Sequence, residues 1–277
     1  SGFAVVGSWS AALPGSEPQR LALLTNGRFV RAEDLQAAES STFAGLELDE
    51  DKSLPLAFVV KRGIRRYKAD GDSMEKDEGL DYHAVVPLAG RFRTVSGTKY
   101  WLTQEPDRWV RNQDVTIVHR RTKFPDFVKD GQRWLDVGVL LGTLVAYEGR
   151  KPVFATLVST GRDRLGNPEL GEGSQAVTKL GNFEILGKAA TGLDTPPERF
   201  SERYSLFDVP WILEMSSGQS LLGAFWHDRF GIEHGPGDIM LSPVDARRLW
   251  QWATPELPKG WHAATATNEK TLVHVRK

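Results

Sequence analysis

The side chains best suited to chemistry gather in one short stretch of this 277-residue chain. Ligand-type and nucleophile-type residues stand close together there, around a Gly-Pro-Gly turn: His227, Asp228, Glu233, His234 and Asp238. A tight turn with glycines beside one functional side chain is a usual way to present a nucleophile. The same side-chain types also bind metal ions, so the stretch raises two hypotheses, a nucleophile-bearing loop and a metal-dependent hydrolase.

The spacing of these residues does not favour the metal hypothesis. The stretch has no HExxH pattern, and its intervening glycines give no readable ligand geometry. Exposed loop charges are the simpler interpretation. We therefore predict no metal and no cofactor.

Composition excludes several other kinds of chemistry. The chain has no cysteine, which rules out thiolate catalysis, disulfides, Cys-ligated zinc and iron–sulfur clusters. Lys and Arg total 35 against 36 Asp and Glu, so the charge pattern indicates no nucleic-acid partner.

The sequence also gives no sign of a membrane span. No apolar run approaches the roughly 18 to 20 residues that a spanning helix needs. The first residues, SGFAVVGSWSAALPG, lack the basic start and continuous apolar core of a signal peptide. For the envelope location considered below, an export signal would already have been removed.

Strand-like runs dominate the elements that must position this stretch. Most end at Gly, Pro or Asn, as strands bounded by turns do. The clearest are LALLTNG, LAFVV, YHAVVPLAG, DVTIVHRR, WLDVGVLLGTLVAYEG, PVFATLVSTG, GNFEILGK, PWILEM and TLVHVR. The best helix pattern is SPVDARRLWQW, with a Ser-Pro start and an acidic residue in its first turn. The sequence predicts a mainly β protein with few helices.

The first half of the chain contains an internal repeat. RFVRAEDL at 28–35 matches RWVRNQDV at 108–115, with four of eight positions identical. The pattern suits two small β-barrel modules of the SH3-like kind better than a solenoid. The arginines of the two copies could bind wall carboxylates or hold the barrel turns, and both roles stay open: Arg28, Arg31, Arg108 and Arg111.

The pattern changes in FPDFVKDGQRW, a Pro- and Gly-punctuated segment that longer apolar strands follow. We predict tandem SH3-like β modules over residues 1–125 and a second domain over 126–277.

From Trp134 onward the chain resembles a known family. The successive segments WLDVGVLLGTLVAYEGRKPVFATLVSTG, VTKLGNFEILGK, YSLFDVPWILEM, GAFWHDRFG and LSPVDARRLWQW are similar, in order, to elements of a YkuD-type L,D-transpeptidase catalytic domain. The resemblance implies a β-sandwich or barrel domain with few helices. It also implies bacterial cell-wall chemistry, in which a cysteine attacks an acyl donor and an adjacent histidine takes its proton.

The family's Ser/Thr-His-Gly-Cys-aliphatic-Asn run falls in register on this chain without gaps. Its positions are occupied here by Gly235, Pro236, Gly237, Asp238, Ile239 and Met240. His227 corresponds to the strand-end histidine of the family. The resemblance therefore implies a retained scaffold in which nucleophile and adjacent base are both missing, and no catalytic residue is expected.

We predict a catalytically inactive L,D-transpeptidase-like protein of the periplasm or cell envelope. Its partners would be peptidoglycan or stem peptides, with a wall-acting protein as a further possibility. The candidate cleft residues are Trp226, His227, Asp228, His234, Gly237, Asp238 and Met240.

Two alternatives remain open from the sequence. One is an active peptidoglycan-modifying enzyme, a transpeptidase or hydrolase, with an altered mechanism through Asp238. An aspartate nucleophile would form a mixed anhydride with a peptide, without a histidine beside it to protonate the leaving amine. The other is a purely structural partner of an active homologue. Of the aromatics near the stretch, at most one or two would contact a ligand: Trp211, Phe225, Trp226, Phe230, Trp250 and Trp252.

Overall fold

The computed structural model describes residues 2–12, 15, 17–163, 165, 176–195 and 204–277. The prediction of a mainly β chain with few helices is confirmed, because strands dominate the described residues and only one α-helix occurs among them. In these ranges no helix is long and apolar enough to cross a membrane.

A small antiparallel sheet opens the chain. It contains β1 (Val5–Ala11), β2 (Gln19–Leu24) and β3 (Phe29–Arg31), paired in that order. A 3-10 helix, Ala32–Asp34, follows β3 directly. We call residues 2–38 the N-terminal unit. Strand β4 (Leu46–Glu47) comes next and joins the largest sheet instead.

A seven-stranded sheet follows. Its strands are β5 (Leu56–Val59), β6 (Ile64–Asp70), β7 (Ser73–Leu80), β8 (Val85–Val95), β9 (Thr98–Thr103), β10 (Trp109–Arg111) and β11 (Val115–Val118). They are ordered β11-β5-β8-β9-β10-β6-β7. A 3-10 helix, Asn112–Asp114, lies between β10 and β11 in the sequence.

The two halves of the internal repeat adopt the same local structure. Each consists of a three-residue strand followed by a 3-10 helix. In the first copy Arg31 Nε and Nη2 donate to the Asp34 carboxylate at 2.9 and 3.0 Å. In the second copy Arg111 makes the same two bonds to Asp114, at 2.7 and 3.0 Å. The repeated Arg and Asp therefore form a bidentate pair that holds the turn.

The largest sheet carries the remaining strands. They are β12 (Arg133–Gly138), β13 (Thr143–Glu148), β14 (Lys151–Leu157), β15 (Gly181–Asp194), β16 (Leu206–Met215), β17 (Ser220–Gly223), β18 (Ile239–Leu241), β19 (Ala263–Thr265) and β20 (Leu272–Arg276). Their order is β18-β17-β16-β15-β20-β12-β13-β14-β4, with β19 paired to β15.

Both faces of this sheet are buried, which explains its long apolar runs. Along β12, Leu135 packs in the cluster that contains the helix, whereas Trp134 packs in a second cluster on the other face. The run WLDVGVLLGTLVAYEG forms two strands, β12 and β13, joined by a short turn.

The second cluster includes residues from the first half of the chain. Phe43, Leu56 and Phe58 are buried with Trp134 and Phe230 in one continuous core. The two halves of the chain are therefore packed together by apolar contacts as well as by the linking peptide.

Helix α1 (Pro243–Trp252) confirms the predicted helix. Ser242 caps it, because its Oγ accepts a hydrogen bond from the backbone N–H of Asp245 at 3.1 Å. At the other end Lys188 Nζ donates to the carbonyl oxygens of Trp250 and Ala253, each at 2.8 Å. The buried Asp245 carboxylate accepts from the Gly45 N–H at 3.0 and 3.1 Å, which ties the linking segment to the helix.

Candidate functional site

The loop between β17 and β18 is held on both sides by backbone hydrogen bonds. The two strands are parallel, with Leu221 opposite Ile239. Beyond β14 the chain pairs with the loop: the His234 N–H donates to the Thr160 carbonyl at 2.7 Å, and the Arg162 N–H donates to the Gly235 carbonyl at 3.1 Å. The position of this loop is thus fixed by the sheet.

Asp238 lies at the start of β18 and is turned into the protein. Its Oδ1 accepts a hydrogen bond from the Ser220 N–H at 2.7 Å, one residue before the parallel pairing begins. Burial raises the pKa of Asp238, and the Ser220 N–H opposes that rise. The Asp238 side chain therefore satisfies a partly buried backbone donor at the first residue of β17.

A second buried carboxyl group is electrostatically coupled to Asp238. Asp194, at the end of β15, is 8% exposed. Burial, followed by the negative charge of Asp238, raises the pKa of Asp194 to about 6, whereas a hydrogen bond from the Tyr204 hydroxyl lowers it. No local pattern indicates this pair, because Asp194 and Asp238 are far apart along the chain.

His227 is a neutral, partly buried ring. Its Nδ1 accepts a hydrogen bond from the Arg229 N–H at 3.1 Å, which places the ring proton on Nε2. Nε2 itself is buried and has no hydrogen-bond partner within the described ranges. Burial, then His234 and Arg229, lower the pKa of His227 to about 3. At neutral pH the ring carries no charge.

Asp228 contacts the seven-stranded sheet and its flanking segment. Its carboxylate accepts a hydrogen bond from the Ser41 hydroxyl and lies 3.6 Å from His83 Nδ1. Its carbonyl oxygen accepts from the Tyr82 hydroxyl at 3.1 Å. Asp228 thus joins the two halves of the chain.

A cavity of about 1120 Å³ lies beside the loop. Five of the motif and cleft positions predicted from the sequence line it: Trp226, His234, Gly235, Pro236 and Met240. Phe225 and Leu206, the first residue of β16, extend this wall, so two of the six aromatics considered above reach the cavity. His227, Asp228, Gly237 and Asp238 do not belong to the lining.

The opposite wall comes from the N-terminal unit, and sequence reasoning missed it. Its lining residues are Gly2, Phe3, Val5, Val30, Asp34, Leu35, Gln36, Ala37 and Ala38. Val30, Asp34 and Leu35 belong to the first copy of the repeat, but neither the types nor the spacing of the lining residues point to a pocket. Only the fold brings them opposite residues 225–240.

Gly235 and Met240 depend on each other in space. A Cβ atom on Gly235 would lie 2.2 Å from Met240 Cε, and the Gly235 φ of +82° disfavours a side chain as well. The methionine therefore occupies the space that a serine or threonine at 235 would need. A glycine at 235 and a methionine at 240 form a matched pair.

The glycine at position 237 has a structural explanation. A Cβ atom on Gly237 would approach Gln219 Nε2 to 2.6 Å and the Val177 carbonyl oxygen to 2.7 Å, at a φ of +133°. Backbone packing requires this glycine whether or not the loop performs chemistry.

Neither Pro236 nor Asp238 presents a nucleophile or a base to the cavity. Pro236 has no ionisable group, and Asp238 is engaged with a backbone donor away from the cavity lining. Within the described residues no three His, Asp or Glu side chains are placed to hold a metal ion. The cavity itself is mainly apolar, which suits binding through shape and a few polar contacts.

Comparisons with known proteins give structural similarity only. No family model matches the chain, and no curated protein matches it. The L,D-transpeptidase from Mycobacterium smegmatis is similar over 100% of both chains, with 13% identity and a TM-score of 0.40. A cysteine-to-serine mutant of the Enterococcus faecium L,D-transpeptidase is similar over 58% of this chain and 55% of its own, with 14% identity and a TM-score of 0.39. The L,D-transpeptidase from Stackebrandtia nassauensis is similar over 57% of this chain and 62% of its own, with 17% identity and a TM-score of 0.35. This chain thus spans little more than half of the Enterococcus protein and under two thirds of the Stackebrandtia protein.

Proposed function

We propose that this protein is a non-catalytic, L,D-transpeptidase-like protein of the bacterial cell envelope that binds peptidoglycan stem peptides, or a cell-wall enzyme, in the cavity beside Pro236. The observation that carries the proposal is the loop itself. A proline stands at the position of the base, and a partly buried aspartate bound to the Ser220 N–H stands at that of the nucleophile.

The domain organisation belongs to the same proposal. Residues 1–125 would contain the two SH3-like modules, and residues 126–277 the transpeptidase-like domain. The repeated Arg–Asp turns support two related modules. Phe43 and Phe58 are nevertheless buried in the core of the second half, so removing residues 1–125 would expose that core. Point variants are the better tools.

Cosedimentation with purified sacculi tests binding through the cavity. The wild type should sediment with sacculi, and Leu35→Trp should lose at least fivefold in the bound fraction because the larger ring fills the cavity. Leu193→Trp is the matched control, since Leu193 is 56% exposed and outside the lining. Equal sedimentation of all three proteins would refute cavity binding, and so would absence of the wild type from the pellet.

A second candidate function is a hydrolase of altered mechanism. The coupled carboxyl groups of Asp194 and Asp238 favour it, because paired acids with raised pKa values are typical of general acid–base sites. Elemental analysis, together with hydrolysis of stem peptides by the wild type and Asp238→Ala, separates the candidates. Hydrolysis that disappears in the variant supports the hydrolase, and an inert, metal-free wild type discards it.

A further inference from the structure

An extended segment covers the edge of β16 beside the cavity. Gly2 forms a parallel bridge with Leu206: the Gly2 N–H donates to the Ser205 carbonyl at 3.2 Å, and the Phe207 N–H donates to the Gly2 carbonyl at 3.0 Å. The rings of Phe3 and Phe207 stack with centroids 5.1 Å apart. The segment is thus added to the sheet as a short extra strand, the way an extended peptide docks on a sheet edge.

The same segment forms part of the cavity wall. Gly2, Phe3 and Val5 are all part of its lining. A Cβ atom on Gly2 would lie 3.0 Å from Leu206 Cδ2 and 3.1 Å from Phe225 Cζ, so the Gly2 backbone packs directly against these two side chains. Release of the segment would widen the cavity at Leu206 and Phe225.

Within the part of the chain that the structure describes, two backbone hydrogen bonds and one pair of stacked rings join the segment to β16. In addition, Ala4 accepts a hydrogen bond from the Thr25 N–H at 3.1 Å, within the N-terminal unit itself. On its other side Leu206 pairs with Asp194 at the end of the β15–β16 ladder, after a register shift between Gly192 and Asp194. A segment with so few bonds opens locally at lower free energy than the ladder beside it.

We propose that residues 2–4 form an intramolecular strap, and that release of the strap from Leu206 and Phe207 admits ligands to the cavity. The strap controls access to the cavity beside Pro236. The identity of the cavity's natural ligand rests on the proposed function, but the release of the strap is independent of that function. This inference adds a conformational control to a site that has lost its catalytic groups.

Gly2→Val tests the strap, with Gly7→Val as the matched control. The added side chain at position 2 meets Leu206 and Phe225, whereas a Cβ atom on Gly7 meets nothing within 4 Å. Hydrogen exchange of the Phe207 amide should be at least fivefold faster in Gly2→Val than in the wild type and the control. Anilinonaphthalene sulfonate, an apolar fluorescent probe, should bind Gly2→Val at least threefold more tightly.

Phe3→Ala removes the stacked ring without crowding and should change both measurements in the same direction. Adding Leu35→Trp to Gly2→Val should abolish the gain in probe affinity if the probe occupies the cavity.

The outcomes separate the strap from the proposed function. Unchanged exchange at Phe207, unchanged probe affinity, or a gain that survives Leu35→Trp would each overturn the strap. A gain in probe affinity together with no sedimentation of any variant with sacculi would support the strap and refute peptidoglycan binding.

Discussion

Replacing Asp194 with asparagine should stabilise this protein at neutral pH. Asp194 is 8% exposed and has a pKa of about 6, against an ordinary value of 3.8. Burial is the main cause, and the charge of Asp238 adds to it. An amide of the same shape keeps an acceptor for the Tyr204 hydroxyl and removes the buried charge.

The sign and size of the effect follow from the two pKa values. Because the folded pKa is raised, the folded state keeps its proton to higher pH, and stability falls as pH rises from about 4 to about 6. Each pKa unit corresponds to about 1.4 kcal/mol, so ionisation costs the folded wild type about 3 kcal/mol at most at pH above about 7. At a pH of about 4.5 the same relation leaves a cost of about 1 kcal/mol.

Urea unfolding of the wild type and Asp194→Asn at pH 4.5 and 7.5 measures this difference. We expect the variant to be more stable by about 2 to 3 kcal/mol at the higher pH, and the advantage to shrink by about 2 kcal/mol at the lower pH. Asp72→Asn, at an exposed turn, is the control and should show neither effect. A stability difference for Asp194→Asn that does not change with pH, or destabilisation at pH 7.5, would show that ionised Asp194 does not destabilise the folded protein.

Three further predictions concern the loop, the repeat and the helix. Gly235→Ser should destabilise the protein by about 1 to 3 kcal/mol, because the serine crowds Met240. Adding Met240→Asn should restore at least about 1 kcal/mol in a double-mutant cycle. Additive effects of the two substitutions would contradict the matched pair. Thermal unfolding should show that Arg111→Gln lowers stability by about 2 to 3 kcal/mol, because it leaves the buried Asp114 unpaired. Arg31→Gln, in the exposed copy, should lower stability by less than about 1 kcal/mol. Equal losses of stability would count against the role of burial. Ser242→Ala should lower stability by about 1 to 2 kcal/mol in urea because α1 loses its cap, and an unchanged midpoint would show that the cap contributes nothing.

The elements of this fold were predictable where one local signal dominated. Apolar runs ended by turn residues marked the strands, and Ser242-Pro243 marked the start of α1. The repeated Arg and Asp marked two related turns. These signals are local, since each depends on a few consecutive residues and on the period of one strand or helix.

The surroundings of the site depend on long-range packing and could not be predicted in the same way. Neither the contact of Asp228 with His83 nor the coupling of Asp194 to Asp238 has any signature in the spacing of these residues. The wall formed by the N-terminal unit, with Leu35 on it, is equally invisible in the sequence. Only coordinates show which side chains face the cavity.

We propose above that the cavity binds its ligand and that the protein performs no acyl transfer. The most direct test is mass spectrometry of disaccharide-tetrapeptide muropeptides after incubation with the wild-type protein. We expect the muropeptides to be recovered unchanged, because Pro236 supplies no base and Asp238 is bound to the Ser220 N–H. Cross-linked dimers, an acyl-enzyme adduct or shortened stem peptides would show that the protein is catalytically active.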